Sequence, residues 1–287
     1  SSGVVKSIGR WLIQDVGVDE SRMPMVVGLM FFPALLVSVW MLSRTPPPNE
    51  DDLRERRERP TMGREERRRF LAAYGPGLGL LVLVYAVLTI VRTIRDDFGV
   101  EIWRELGSDQ APSIFARTET LVAVVATVVN ASAFMIRDNL TAFRSTLALT
   151  AASFGLVAAS TFALDAGAVS PFGFMVACGL GLYLPYAAFH TTVFERLIAA
   201  ARVPCNLAFL LYLADSLGYL AYAAVIAGRT VLAGASPILP FFRTLLLAGS
   251  VVSAAAVAAA VLFFEQALRD QPASIASELV PEPEAAT

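Results

Sequence analysis

The sequence predicts an all-α fold, a polytopic transmembrane helix bundle of about seven spans, and two observations carry that prediction. Of the 287 residues, 56% are hydrophobic and 17% charged, and the mean hydropathy is +0.60, a balance rare among water-soluble domains. The apolar residues are also gathered into seven windows, approximately 23–43, 71–95, 113–136, 143–166, 171–199, 205–232 and 238–266. A hydrocarbon layer about 30 Å thick takes about 20 helical residues, and within it each backbone amide must be paired inside its own segment. The windows lack the period-two alternation of barrel strands, so they read as helices.

Residues 1–22 form an extracytoplasmic N-terminal segment of mixed charge, with Lys6, Arg10, Asp15, Asp19, Glu20 and Arg22. Residues 23–43 form an isolated transmembrane helix. It runs into Arg44-Thr45-Pro46-Pro47-Pro48 without a small-residue cleavage site, so it stays in the membrane rather than leaving as a signal peptide. A charged cytoplasmic linker at 44–70 interleaves nine arginines with seven acids, and Arg64, Arg67, Arg68 and Arg69 fall where anionic lipid heads lie. Six windows within 71–268 form a six-helix transmembrane bundle, most of them joined by loops of a few residues that make antiparallel neighbours. The tail, 269–287, is rich in Pro, Ala and Glu and reads as disordered.

Orientation follows from arginine, because basic loops stay in the cytoplasm. With the linker inside, Arg137, Arg144, Arg196, Arg202 and Arg269 also fall inside, giving 14 basic residues inside against nine outside. The N-terminus of the chain then faces out, the C-terminus is cytoplasmic, and the location is a multi-pass inner (plasma) membrane. The opening Ser-Ser-Gly and the odd helix placed outside-in read as a piece of a longer chain, with an N-terminal helical half expected upstream.

Several functions are excluded. Net charge is −2 and no basic face stands out, which argues against nucleic acid as a partner. Cys178 and Cys205 sit in apolar stretches without CxxC spacing or a nearby His cluster, so they read as small buried side chains, and no metal or cofactor is expected. The chain has no HExxH, no GxSxG and no His and Asp cluster, so no enzyme and no catalytic residue is expected. A retinal photosensor needs a lysine in the last helix, and the only lysine is Lys6.

Ionisable residues inside a bilayer cost a few kcal/mol each and mark pathways or packing. Asp215 lies ten residues into the sixth window, about 15 Å deep, and shares a stripe with Tyr212, Gly218, Tyr219 and Tyr222. That pattern reads as a polar cavity or proton-coupling site, or as an Asp bonded to a neighbouring helix as packing glue. In the fifth window Pro185 predicts a bend or opening at mid-membrane depth, with Tyr183, Tyr186 and His190 stepping down one face. His190 reads either as a proton relay or as an ordinary hydrogen-bonded core residue. Near the outer boundary, Arg92, Arg95, Asp96, Asp97 and Glu101, with Glu119 beyond, read as an outer gate closed by Arg–carboxylate pairs or as an interfacial charge fringe, with Trp103 as an interfacial anchor.

A helix entering the cytoplasm, a long charged linker and six tightly connected helices together resemble the sixth helix, central loop and C-terminal half of the major facilitator superfamily. The strings Ser38-Val39-Trp40-Met41-Leu42, Arg95-Asp96-Asp97-Phe98, Gly179-Leu180-Gly181-Leu182-Tyr183-Leu184, Phe194-Glu195-Arg196-Leu197 and Tyr212-Leu213-Ala214-Asp215-Ser216-Leu217-Gly218-Tyr219 look more specifically like an uncharacterised bacterial family of such proteins, from about Lys6 to about Leu268. Many superfamily members carry a Gly-x-x-x-Asp-Arg-x-Gly-Arg signature in a cytoplasmic turn. Here that turn reads Arg137-Asp138-Asn139-Leu140-Thr141-Ala142-Phe143-Arg144, keeping an Asp and a later Arg. The resemblance implies a secondary active transporter that moves a small solute by alternating access, coupled to protonation of Asp215, and a charge relay through Asp138 and Arg144. The alternative is a seven-helix receptor or sensor, or an integral membrane protein that does not transport. No residue identifies the solute.

Overall fold

Helix is the only regular structure among the described residues, which in this computed structural model are 2–46, 63–108, 113–201, 205–234 and 236–269. Most of the expected linker and the tail after Arg269 lie outside the described residues. The helices are α1 (Ser2–Gln14), α2 (Met23–Ser43), α3 (Arg64–Asp97), α4 (Gly99–Glu105), α5 (Ser113–Ser132), α6 (Asn139–Asp165), α7 (Pro171–Ala188), α8 (Phe194–Ala201), α9 (Leu207–Ala233) and α10 (Ile238–Arg269). Seven stretches among them are long and apolar enough to span a bilayer, one for each window of the sequence, with α7 and α8 forming a single span.

The chain falls into two compact units, Ser1–Arg59 with Gln110–Leu121, and Pro60–Asp109 with Val122–Thr287, so that α5 contributes to both. In the first unit α1 packs on α2, and the Ser7 hydroxyl accepts the Ala116 N–H at 2.9 Å. The Arg10 guanidinium lies 5.6 Å from the centre of the Phe115 ring. Only 6% of the apolar window of α2 is buried, leaving Leu29, Phe32, Leu36 and Trp40 exposed, as lipid rather than water requires.

In the second unit α3 is the central rod, packed by α7, α9 and α10, while α6 packs on α7 and α10. It begins at Arg64, earlier than the window at 71–95, because its first turn is built for a helix start. The Gly63 N–H donates to Glu66 Oε2 at 2.7 Å, and Glu65 and Glu66 face the positive end of the helix dipole. Arg64, Arg67, Arg68 and Arg69 are therefore helical, at the end of a linker that the sequence reads as partly helical. The helices meet through an apolar core that includes Leu81, Val84 and Leu88 of α3, Leu147 and Phe154 of α6, Phe174 and Leu182 of α7, and Phe242 and Phe264 of α10. Where α6 and α7 cross, a Cβ on Gly181 would stand 2.7 Å from the Ser153 carbonyl oxygen and 2.5 Å from Val157 Cγ2, so only glycine permits the approach. Buried hydroxyls turn inward on their own helices. Thr89, Thr146, Thr150, Thr161 and Ser250 each donate to the carbonyl four residues back, which satisfies them where no water is at hand.

Pro185 does not break α7 where it stands. The α-helix passes through it to Ala188, and a π turn at Phe189–Val193 follows before α8 begins. Side chains stitch the loosened turn: His190 Nδ1 lies 3.0 Å from the Tyr186 carbonyl oxygen, and the Thr191 hydroxyl donates to Ala187 O at 3.0 Å. The irregularity is thus displaced about one turn past the proline, and His190 sits inside it.

Candidate functional site

The site is built by three helices of the second unit. Heptad and i, i+4 spacing put Tyr85, Thr89, Arg92 and Asp96 along one side of α3. The end of α7 and its π turn supply Tyr183, Tyr186 and His190, and α9 supplies Asp215 and Tyr219.

Asp215 is held by Tyr85, whose ring is 1% exposed and whose hydroxyl donates to Asp215 Oδ1. The same hydroxyl lies 3.3 Å from His190 Nε2, and His190 Nε2 lies 3.9 Å from Asp215 Oδ1. Because the Tyr186 carbonyl only accepts, it assigns a proton to His190 Nδ1 and leaves Nε2 as the atom that faces Tyr85 and Asp215. The arrangement admits two proton patterns. With Asp215 ionised, Tyr85 donates to it and a protonated Nε2 faces both oxygens. With Asp215 protonated, the carboxyl donates to Tyr85, which donates to a neutral Nε2.

Aromatic rings carry the cluster onward. Tyr186 stacks near Tyr85 at 5.8 Å and lies tilted against His190 at 4.5 Å between ring centres, and the Arg92 guanidinium lies over Tyr186 at 4.2 Å. Arg92 Nη1 reaches Asp96 Oδ2 at 3.4 Å, an oxygen that already accepts the Tyr183 hydroxyl at 2.7 Å. Arg95 is 2% exposed; its Nη2 donates to the Met175 carbonyl at 3.1 Å and its Nη1 lies 3.7 Å from Asp96 Oδ1. Gly179 makes the room, since a Cβ there would stand 2.9 Å from Arg95 Nη2. Arg92, Arg95 and Asp96 thus form a paired cluster inside the bundle, not a solvated fringe.

The face carrying these groups is open. The side chains of His190 and Asp215 are 33% and 35% exposed, and only 17% of the α9 window is buried, against 50% for α3. Three sectors run along α9. Leu210, Ala214 and Gly218 pack inward, with Gly218 against Thr89; Leu217 and Leu220 are exposed and apolar; Asp215, Ser216, Tyr219 and Tyr212 occupy the sector between. Tyr219, 48% exposed, stands within electrostatic reach of Arg92 and Tyr186.

Other expected members separate from the cluster. Gly218 leaves the polar stripe for the packed face, and Tyr212 is 73% exposed and forms no hydrogen bond with Asp215 among the described residues. Tyr222 turns away from Asp215 and donates to Asp97 Oδ2 at 2.5 Å, tying α9 to the end of α3. Glu101 is exposed on α4 and takes no part in an Arg pair among the described residues, and Glu119 lies half-buried in the first unit. Trp103 is no interfacial anchor: α4 folds back and leaves it 1% exposed. Its neighbour Glu105, which the sequence did not single out, caps α10 by accepting the Ile238 and Leu239 N–H groups at 2.9 and 2.8 Å.

The expected relay at the 137–144 turn also divides. Asp138 caps α6 by accepting the Thr141 N–H at 2.7 Å, whereas Arg144 pairs with Glu265 of α10 at 3.2 Å. Hydrogen bonds from Thr141, with a smaller contribution from the Arg144 charge, hold the Asp138 carboxyl below the ordinary aspartate range.

Tyr85 is the functional residue that sequence reasoning missed. Inside an apolar window it looks like core, although its spacing of seven residues from Arg92 was a signal that the same side of α3 carries both. Cys178 and Cys205 are buried free thiols, and no group of three or more potential metal ligands exists among the described residues. Comparison with curated proteins and with solved structures gives no match. The model of a family of unknown function (DUF5690) matches residues 1–267, and the chain belongs to that family.

Proposed function

We propose that the protein is a secondary active transporter of the major facilitator type, in which these helices form the C-terminal half and the preceding helix, and an N-terminal half upstream completes the passage. The chain then lies in the plasma membrane with its N-terminus outside and its C-terminus in the cytoplasm, and it moves a solute rather than transforming one. The observation that carries this reading is the placement of Asp215, Tyr85 and His190 on a part-exposed face of an apolar bundle, beside a helix opened by a π turn. Buried packing glue would be closed on all sides, whereas groups that exchange protons need a path to water. Rocking of the two halves about this face alternately opens it to each side, and the Asp215–Tyr85–His190 triad couples the motion to a proton.

Reconstitution into vesicles loaded with a pH-sensitive dye tests the reading. Solute-dependent acidification of the lumen under an inside-negative potential is expected for the wild type and lost in Asp215→Asn. Equal acidification by both proteins removes Asp215 from the proton path, and a wild type that moves no solute of any charge class overturns transport.

A further inference from the structure

Arg92 is a cation of the site whose hydrogen-bonding capacity stays largely unused among the described residues. Its side chain is 13% exposed, yet its single hydrogen bond runs from Nη1 to Asp96 at 3.4 Å, a long contact to an oxygen already engaged by Tyr183 at 2.7 Å. Its Nε is buried without a hydrogen-bond partner among the described residues. Arg95 is directed to the Met175 carbonyl and to Asp96, so the two guanidinium groups share that one carboxylate.

A guanidinium only 13% exposed in an apolar bundle is costly unless its donors are engaged. Tyr186 takes one flat face of the guanidinium at 4.2 Å, and Tyr183 lies 5.9 Å away, which leaves the edge donors for a further partner. Planar edge donors match a carboxylate or phosphate oxygen pair better than they match a neutral or cationic group. Tyr219 of the exposed α9 sector stands within electrostatic reach of Arg92.

We infer that Arg92, framed by Tyr183 and Tyr186, docks the oxyanion group of the solute, so that the transported class is a small soluble organic anion. This rests on the transporter reading and deepens it by naming the charge of the cargo and the atom group that meets it.

Thermal unfolding of the purified full chain, followed by tryptophan fluorescence at constant ionic strength, tests the inference. Benzoate, succinate and inorganic phosphate are the anionic probes, with benzamide and benzylamine as neutral and cationic counterparts. At least one anion is expected to raise the unfolding temperature at millimolar concentration, with apparent affinity weakened about tenfold or more in Arg92→Lys, which keeps the charge and loses the fork. Arg92→Gln is expected to abolish the effect. Should that variant fail to fold, the wild type and Arg92→Lys still decide. Stabilisation by benzamide or benzylamine alone, by no probe, or equally in wild type and Arg92→Lys overturns the inference. So does stabilisation that appears only with phosphatidylglycerol and with no soluble anion, which assigns Arg92 to a lipid headgroup. The two levels fail separately. Asp215-dependent proton uptake driven by a neutral or cationic solute keeps transport and removes the anion; anion binding without movement of any solute keeps the site and removes transport.

Discussion

A hydroxyl placed between a carboxylate and an imidazole has one proton to give and two groups to serve, and Tyr85 is in that position. Tyr85→Phe keeps the ring packed against Tyr186 and Phe189 and deletes only the oxygen. The loss of one intramembrane hydrogen bond is expected to lower stability by about 1 kcal/mol in denaturant unfolding. Solute-driven proton uptake should fall by far more, about tenfold or greater, because the carboxyl and imidazole then lose their shared donor. An uptake rate equal to that of the wild type would show that the hydroxyl is a packing group. Asp215 was legible in the sequence because a lone acid in an apolar window is conspicuous, whereas Tyr212 and Tyr222, grouped with it by spacing, separate from it. Tyr85 was not legible, because an aromatic residue there looks like core until α7 and α9 bring His190 and Asp215 to it.

At the scale of the element, close helix approach and helix capping carry separate expectations. Gly181→Ala places a methyl against the Ser153 carbonyl and Val157, where backbone cannot yield as a flexible side chain would. A loss of about 1–3 kcal/mol in unfolding free energy is expected, as for other overpacked sites. Asp138 gives a pH-dependent contrast. Its carboxyl is held low in the fold, so its capping contribution is complete above the ordinary aspartate range and disappears as pH falls through the lowered value. Protection of the Thr141 amide from hydrogen exchange, relative to its intrinsic rate, should therefore decline in acid in the wild type. In Asp138→Asn it should stay level, since an amide oxygen also caps but does not titrate. Proline in the fifth window correctly marked an irregular helix, yet the sequence placed the opening at Pro185 itself. The π turn at Phe189–Val193 depends on which side chains reach the freed carbonyls, and His190 and Thr191 lie one turn beyond.

Across the whole molecule, the surface divides between lipid and the open polar face, and α9 carries both. Cys178 and Cys205 are buried, so a single added cysteine can be read on the native background. A cysteine at Ser216, in the polar sector, is expected to react with a membrane-impermeant maleimide, and one at Leu217, in the apolar sector, is not. Equal protection at both positions would show the polar sector sealed. The seven apolar spans are countable from composition alone, since any apolar stretch of about 20 residues must close its own backbone bonds in hydrocarbon. That rule acts within a segment and needs no neighbour, so the sequence located the seven apolar stretches, although α3 begins seven residues before its window and α1 and α4 lie outside every window. Only the tertiary structure decided which polar groups meet. Tyr222 went to Asp97 rather than Asp215, Arg144 to Glu265 rather than Asp138, and Tyr85 to both Asp215 and His190. Those choices depend on the rotation of each helix about its own axis and on how closely α3 lets its neighbours approach, quantities set by packing between segments and absent from the pattern within any one of them.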